Sequence, residues 1–180
     1  MASIIKVDQI QTASGGTPSL SDLGVSTAGL GKVLQVKTFK TTSHNENSST
    51  TFADSLLTLN ITPSSTTSKV MVLSHAGWMV FRSSGNETGG VSRLVRDDGS
   101  VTQLASHYFY SFAQNLSSSY AYHYHGMDTY TVLDSPSTTS EITYKIQIRQ
   151  TYANAIRYTY HNDGSSNNAG EIVLIELAGD

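Results

Sequence analysis

The sequence contains no cysteine, only three prolines and few charged residues, and these shortages exclude several classes of protein. Without cysteine there is no disulfide framework and no thiolate metal site. Charged residues make up 14% of the 180 positions, well below the usual quarter or so. Lysine and arginine are nowhere concentrated and the net charge is −3, so we expect no nucleic-acid partner. No apolar run approaches the roughly 18 residues that a membrane-spanning helix needs, so we expect no membrane insertion.

Serine and threonine are abundant where charged residues are few, and the chain has ten tyrosines but a single tryptophan. Hydroxyl side chains compete with the backbone for hydrogen bonds, which disfavours helices and suits strands and turns. The composition therefore predicts an all-β protein with a hydroxyl-rich surface. Because disulfides are excluded, its stability must come from core burial or from association with copies of itself.

The first 31 residues differ in composition from the rest of the chain. Residues 4–11 alternate roughly like a short strand, whereas residues 12–31 hold five of the 14 glycines and one of the three prolines. A segment so poor in apolar side chains cannot bury enough surface to fold alone. The start also lacks the apolar core of a signal peptide. We therefore predict an extended N-terminal arm and linker over residues 1–31 and a folded domain over residues 32–180.

Alternating apolar residues and closely spaced turn signals predict eight to ten strands in this domain. The strongest hairpin signal is Asp97-Asp98-Gly99-Ser100, which separates two alternating runs. Many short strands at such spacing are typical of an antiparallel β-sandwich or jelly roll. The predicted strands cover residues 33–40, 55–61, 69–81, 91–96, 101–106, 119–133, 141–149, 155–160 and 171–177.

Two of the predicted strands are apolar on both faces, which a single sandwich does not require. They cover residues 69–81, KVMVLSHAGWMVF, and residues 171–177, EIVLIEL. A strand buried on both faces needs a cover on each side. The second face therefore predicts a contact between subunits. The candidate interface residues are Trp78, Val173, Ile175 and Leu177.

The segment YAYHYHG at 120–126 is the one candidate for a metal site. On a strand, His123 and His125 point to one side, and both could ligate one zinc or nickel ion. The alternative is a half-buried strand with imidazoles in ordinary hydrogen bonds, and we predict no metal and no other cofactor. Further ligands would have to come from His75, His107, His161, Asp128 or Asp134.

The tyrosines suggest a second kind of site, since sugars stack their C–H faces on aromatic rings. The alternative is structural, because tyrosine is a common strand residue and is often buried with its hydroxyl paired. The candidate glycan-contact residues are Tyr108, Tyr110, Tyr120, Tyr122, Tyr124 and Tyr152.

Motifs of catalysis are absent from the sequence, and we predict that the protein is not an enzyme. There is no Gly-x-Ser-x-Gly elbow and no phosphate-binding glycine pattern. Asp97 and Asp98 lie in a turn, where aspartate is favoured for local backbone bonding. A polysaccharide-cleaving sandwich would need two facing carboxylates, and nothing pairs Asp97, Asp98, Asp134 or Glu141 in this way. A sugar-binding or polysaccharide-cleaving β-sandwich remains the alternative.

The opening MASIIKVDQIQTASGGTPSLSDLGV closely resembles the N-terminus of small virion proteins of marine and cyanobacterial tailed phages. Nearly all of the remaining chain is similar to the knob domain of phage fibres, and such knobs are similar to trimeric jelly rolls of the tumour-necrosis-factor and C1q type. The similar segments are, in order, VLQVKT, ITPSSTTSKVMVL, RDDGS, LDSP followed by TYKIQIR, and EIVLIEL.

The resemblance implies a non-enzymatic bacteriophage structural protein on the surface of the particle. It would be a homotrimeric short fibre or knob, either a tail-fibre tip or a decoration of the neck or capsid. Other virion proteins would hold its arm, and the knob would face solvent and meet glycans of the host surface. The anchoring residues implied in the arm are Ile4, Ile5, Val7 and Ile10.

Overall fold

The computed structural model describes residues 32–82, 87–112, 122–151, 155–159 and 170–179. Every regular element in these ranges is a β-strand, and the strands pair antiparallel throughout. The predicted all-β antiparallel sandwich is therefore confirmed. The described ranges contain no helix of the length and hydropathy needed to cross a membrane. The predicted arm and linker lie outside the described residues and stay a prediction.

The strands follow the predicted order with one addition near the start of the domain, but β5 begins four residues earlier and β6 ends six residues later than predicted. They are β1 (Val33–Thr41), β2 (Asn45–Asn47), β3 (Ala53–Ile61), β4 (Lys69–Arg82), β5 (Glu87–Asp97), β6 (Val101–Phe112), β7 (Tyr122–Asp134), β8 (Ile142–Gln150), β9 (Ala155–Tyr158) and β10 (Gly170–Leu177).

These strands form two sheets that enclose the core of the unit Lys32–Gly179. In sheet A, β4 is central and pairs with β7 along most of its length. The other edge of β4 pairs first with β10 and then with β9, and β1 and β2 extend the sheet beyond them. Sheet B has the order β3-β8-β5-β6, so β3 and β6 are its edges.

The hairpin between β5 and β6 confirms the prediction made from the Asp-Asp-Gly-Ser turn. Gly99 has a φ of 102°, a backbone conformation that favours glycine. The side chain of Asp97 accepts a hydrogen bond of 3.2 Å from the Gly99 amide, as is common for aspartate in turns.

Side chains that alternate inward from the two sheets fill the core. Strand β8 shows the predicted alternation, because its four inward residues are at most 1% exposed. Strand β10 alternates between fully buried and half-buried positions, with Ile172 and Leu174 in the core. The inward residues of β8 are Ile142, Tyr144, Ile146 and Ile148, and its outward residues are Thr143, Lys145, Gln147 and Arg149.

The single tryptophan packs between the sheets. Trp78 of β4 stacks on Phe109 of β6, with ring centroids 4.3 Å apart. Its neighbour in the β4–β7 ladder is Gly126, where a Cβ atom would come within 2.5 Å of the indole. The indole thus packs against the β7 backbone at a position that only glycine leaves open.

Strand β2 was not predicted, because three residues carry no readable alternation. Asn47 explains why it forms: its side-chain amide donates to the carbonyl oxygens of Thr51 at 3.0 Å and Ile148 at 2.7 Å. These bonds tie a short polar segment to β8 while its backbone pairs with β9. The strand therefore depends on partners that are more than 100 residues away in sequence.

Candidate functional site

The outer face of sheet A carries a row of apolar side chains that crosses four strands. Val36 of β1 pairs with Ile175 of β10, Ile175 pairs with Met71 of β4, and Met71 pairs with Leu133 of β7. At the two ends of the row, Val36 is 55% exposed and Leu133 is 52% exposed. We call these four residues the apolar row. Apolar side chains lying side by side on an outer face are typical of an interaction surface.

Polar side chains lie next to the apolar row in the direction of the C-terminal end of β4. The next pairing of the same parity joins Thr38, Val173, Leu73 and Thr131, and it has threonine at both ends. The pairing beyond it is fully polar and consists of Lys40, Glu171, His75 and Thr129.

Three of the four predicted interface residues lie on this outer face. Val173, Ile175 and Leu177 have the same parity on β10 and are half-buried in the single chain. Trp78 has the opposite orientation, because it packs toward the core and stacks on Phe109. The four residues therefore do not share one surface.

The outer face of sheet B carries two exposed tyrosines from the predicted glycan-contact set. Tyr108 and Tyr110 lie on the edge strand β6 and are 53% and 49% exposed. Their ring centroids are 6.0 Å apart and their planes differ by 16°. The two rings are thus stacked nearly parallel to each other, and we call them the tyrosine pair.

The other four tyrosines of that set do not join the pair among the described residues. Tyr124 lies on β7 in sheet A, where it is half-buried against the core. Tyr120 and Tyr152 lie outside the described residues, as does the side chain of Tyr122.

Two arginines on the same outer face share one aromatic ring. The guanidinium carbon of Arg93 lies 3.8 Å from the centre of the Phe52 ring, and that of Arg149 lies 5.0 Å from it. Arg93 also donates two hydrogen bonds, of 2.9 and 2.6 Å, to the side-chain oxygen of Gln147. Neither arginine forms an ion pair with a described carboxylate.

The nearby acids of this face are already paired with a lysine. The ammonium group of Lys145 lies 3.0 Å from Asp54 and 2.9 Å from Asp97. The hydrogen bond to Asp97 raises the pKa of Lys145, and the same bond lowers the pKa of Asp97. Among the described side chains of this outer face, three cations thus lie near two carboxylates, and one of these carboxylates, Asp54, also attracts Arg93.

A buried polar cluster joins the two sheets near the middle of the core. The Asp128 carboxylate of β7 accepts hydrogen bonds from Ser92 of β5 at 2.6 Å and from Tyr158 of β9 at 2.5 Å. Its other oxygen contacts the Nδ1 atom of His107 of β6. Tyr130 lies 2.6 Å from the Ser92 hydroxyl and stacks on the His107 ring.

The environment of this cluster keeps its tyrosines protonated. Burial and the adjacent Asp128 carboxylate raise the pKa of both Tyr130 and Tyr158 above its ordinary value. Both hydroxyls can therefore donate hydrogen bonds at any physiological pH. Because Ser92 is fully buried and Asp128 is 2% exposed, the cluster acts as an internal clamp between the sheets.

The histidines of the candidate metal segment do not assemble a metal site with the other proposed ligands in the described part of the chain. No group of three or more described His, Asp or Glu side chains is arranged to hold a metal ion. His125 lies on the outer face of sheet A, paired with Met79, and His107 and Asp128 belong to the buried cluster. The side chain of His123 and the whole of His161 lie outside the described residues.

The acids considered for polysaccharide cleavage each have a local partner. Arg96 binds both oxygens of Asp134 at 3.0 and 2.9 Å and also lies 3.2 Å from Asp98. Hydrogen bonds from Ser100 lower the pKa of Asp98, as Lys145 does that of Asp97. A general acid for glycoside cleavage needs a raised pKa, which neither of these two carboxyl groups has. The fourth acid, Glu141, accepts a hydrogen bond of 3.2 Å from Asn60.

Comparisons with known proteins identify no family. No protein-family model matches the chain, and no curated protein matches it. Among solved structures, a chain of the T13 particle of infectious bursal disease virus overlaps it with a TM-score of 0.34 and 12% identity. The overlap covers 82% of this chain and 38% of that one.

The VP2 subviral particle of the same virus gives a similar result. Its TM-score is 0.33 at 12% identity, with 82% of this chain and 40% of that chain covered. This chain thus spans well under half the length of either structure. A likeness at this level is too low to assign a function.

Proposed function

We propose that this protein is a structural component of a bacteriophage particle, a short fibre or knob that works as an oligomer and not as an enzyme. The sequence resemblance supports the virion assignment. The apolar row on the outer face of sheet A is the observation that supports self-association. The proposed oligomer is a homotrimer with this face turned inward.

We expect the apolar row to be buried against another surface because of its extent and position. A sheet that is wet on one face alternates apolar and polar residues along each strand. Here β4 and β10 place apolar side chains on both faces, and β1 and β7 add Val36 and Leu133 to the outer one. Burying an exposed aliphatic side chain is worth about 1.5–3 kcal/mol.

A second copy of this chain is the proposed occupant of that face. In a closed cyclic assembly every subunit presents the same surface near the axis, so a single apolar row recurs in each copy. The two middle strands of the row, β10 and β4, are paired on both sides, which makes the centre of this surface rigid. Burial of the apolar row in such a contact would add to the stability of each subunit.

The remaining parts of the proposal rest on the resemblance. The arm over residues 1–31, with Ile4, Ile5, Val7 and Ile10, would attach the domain to other virion proteins. The domain would then project from the tail, neck or capsid, where it could meet a host-surface glycan. Mass spectrometry of purified particles tests this assignment, and absence of the protein from intact particles would contradict it.

Sedimentation equilibrium of the full chain tests the oligomer. We expect a mass near three times 19.4 kDa. Leu133→Lys, which adds a charge at one end of the apolar row, should shift the protein toward the monomer while the strand signal in circular dichroism persists.

Val101→Lys is the matched control, because Val101 is 49% exposed but lies on β6 of sheet B. It should sediment as the wild type does. A monomeric wild type would overturn the proposed oligomer. An unchanged mass for Leu133→Lys would show that the subunits meet elsewhere.

A further inference from the structure

We propose that the outer face of sheet B is a binding site for a carbohydrate that carries an anionic group, an inference that rests on the proposed contact with a host-surface glycan. The site consists of the tyrosine pair on β6, the arginines Arg93 and Arg149, and Val91 between them. It lies on the sheet opposite to the proposed subunit contact. The two surfaces can therefore be tested independently.

The strand pairing places the aromatic and cationic groups on one surface. Tyr108 pairs with Val91 of β5, and Val91 pairs with Arg149 of β8. The Cα atoms of Tyr108 and Arg149 are thus two strand spacings apart, about 10 Å. Ser106 and Arg93 form the adjacent pairing of the same parity. A ligand lying across this face meets rings at one side and guanidinium groups at the other.

The tyrosine pair fits the apolar face of a sugar ring. The two rings lie nearly parallel with centroids 6.0 Å apart, so a sugar at this edge of the face meets two aromatic side chains rather than one. Both rings are about half exposed in the folded chain. Tyrosine also brings a hydroxyl group to the edge of that surface, and this group can bond to sugar hydroxyls.

The arginines supply the preference for a negative charge. Burial lowers the pKa of Arg93 and repulsion from Arg149 lowers it further, while the attraction of Asp54 only partly offsets these effects. The carboxylates of the face are held by Lys145, and the described Gln147 that binds Arg93 is neutral. The Nε atom of Arg149 is buried without a hydrogen-bond partner, and its Nη1 atom reaches only the Thr50 carbonyl, at 3.5 Å. An anionic group at this face would compensate the positive charge of the two guanidinium groups.

The position on paired strands favours recognition of an extended ligand. β6 is paired to β5 from Glu87↔Phe112 to Asp97↔Val101, which fixes the backbone on which both tyrosines lie. Side chains on such rigid elements hold their geometry better than side chains on loops.

A glycan array probed with the full chain tests the inference. The array should hold oligouronates and sulfated galactans, each beside its neutral form, methyl-esterified or desulfated. We expect binding to at least one anionic form, with roughly tenfold weaker binding to its neutral form. Binding should also weaken as salt is raised from about 0.15 to 1 M. Binding to only the oligouronates, or to only the sulfated galactans, identifies which anionic group the site recognises.

Variants then locate the binding on this face. Tyr108→Ala should weaken binding to the retained oligosaccharide roughly tenfold, whereas Tyr108→Phe keeps the ring and should stay within about threefold. Arg149→Gln should abolish the preference for the anionic over the neutral form. Thr129→Ala, at an exposed position on the outer face of sheet A and outside the apolar row, should bind as the wild type does.

Several results would overturn the inference. They are a blank array, binding restricted to neutral oligosaccharides, and binding that Tyr108→Ala and Arg149→Gln leave unchanged. If Tyr108→Ala instead lowers the mass of the oligomer, the tyrosine pair is a subunit contact and the inference also fails. None of these results bears on the sedimentation test of the apolar row with Leu133→Lys.

Discussion

The Nδ1 atom of His107 contacts the Asp128 carboxylate across the space between the two sheets. His107 belongs to an edge strand of sheet B, and Asp128 belongs to β7 of sheet A. Ser92, which pairs with His107 in the β5–β6 ladder, donates to the other carboxylate oxygen. The carboxylate thus binds two neighbouring strands of sheet B at once, which fixes how the sheets are aligned.

Asp128→Asn should destabilise the domain by about 1–3 kcal/mol. The substitution keeps the shape but replaces one acceptor oxygen with an NH₂ group, which then faces a donor from Ser92, Tyr158 or His107. Chemical unfolding in urea, followed by circular dichroism, measures the change. Glu141→Gln is the control, because Glu141 is exposed and should leave the midpoint in place. Equal midpoints for wild type and Asp128→Asn would show that the cluster does not clamp the sheets.

Gly126→Ala should destabilise the domain by about 1–3 kcal/mol through overpacking. The added Cβ would lie 2.5 Å from Cζ2 and 2.7 Å from Cε2 of Trp78, so the indole must move. Since Trp78 is the only tryptophan, its fluorescence emission reports that movement directly. Thr129→Ala, at an exposed position on the same strand, should change neither emission nor stability. An unshifted emission spectrum for Gly126→Ala would contradict the packing described for Trp78.

The strands and the hairpin could be predicted because they depend on local patterns. The alternation of β8 identified its inward residues, and the Asp-Gly turn located the β5–β6 hairpin. Local patterns did not show that Trp78 packs on the inner face while Ile175 lies on the outer one. The space that the indole occupies is left by Gly126 of β7, a residue that is not near Trp78 in sequence.

The polar sites could be predicted only in part. Asp128 shares its strand parity with Tyr130, so an acid on the inner face of a strand could have been noticed from the sequence. Its partners come from three other strands, β5, β6 and β9, and only the folded topology brings them together. The tyrosine pair could be predicted from the sequence because residues 108 and 110 are two apart on one strand. The arginines beside it depend on the register of β8 with β5.

Protonation of Glu176 should lower the free energy of unfolding of the domain as the pH falls from about 4.5 to about 2. It is buried on β10 and accepts hydrogen bonds from Gln35 at 2.5 Å and from the Ser64 amide and hydroxyl at 2.7 Å. Burial would raise its pKa, but these bonds outweigh burial and lower the pKa to about 2 from an ordinary value of 4.5. Because the folded-state pKa is the lower one, the stabilisation is present above the unfolded-state pKa. It is lost as protons bind on approach to pH 2 and amounts to at most about 3 kcal/mol.

Urea midpoints measured at pH 7 and at pH 3 test the role of Glu176. Glu176→Gln should be less stable than the wild type at pH 7, and the difference between the two should narrow at pH 3. Glu141→Gln again serves as the control for loss of an exposed carboxylate. A difference between wild type and Glu176→Gln that stays constant with pH would rule out this carboxylate as the titrating group.

Deletion of residues 1–12 should separate attachment from folding. The described domain buries its core entirely between strands of the unit Lys32–Gly179, so its melting temperature should change little without this segment. Its mass in sedimentation should also be unchanged, because the apolar row lies on β1, β4, β7 and β10. Only co-sedimentation with purified particles should be lost. A deletion that unfolds the domain would show that residues 4–11 belong to its core, and one that still binds particles would place the attachment surface on the sandwich itself.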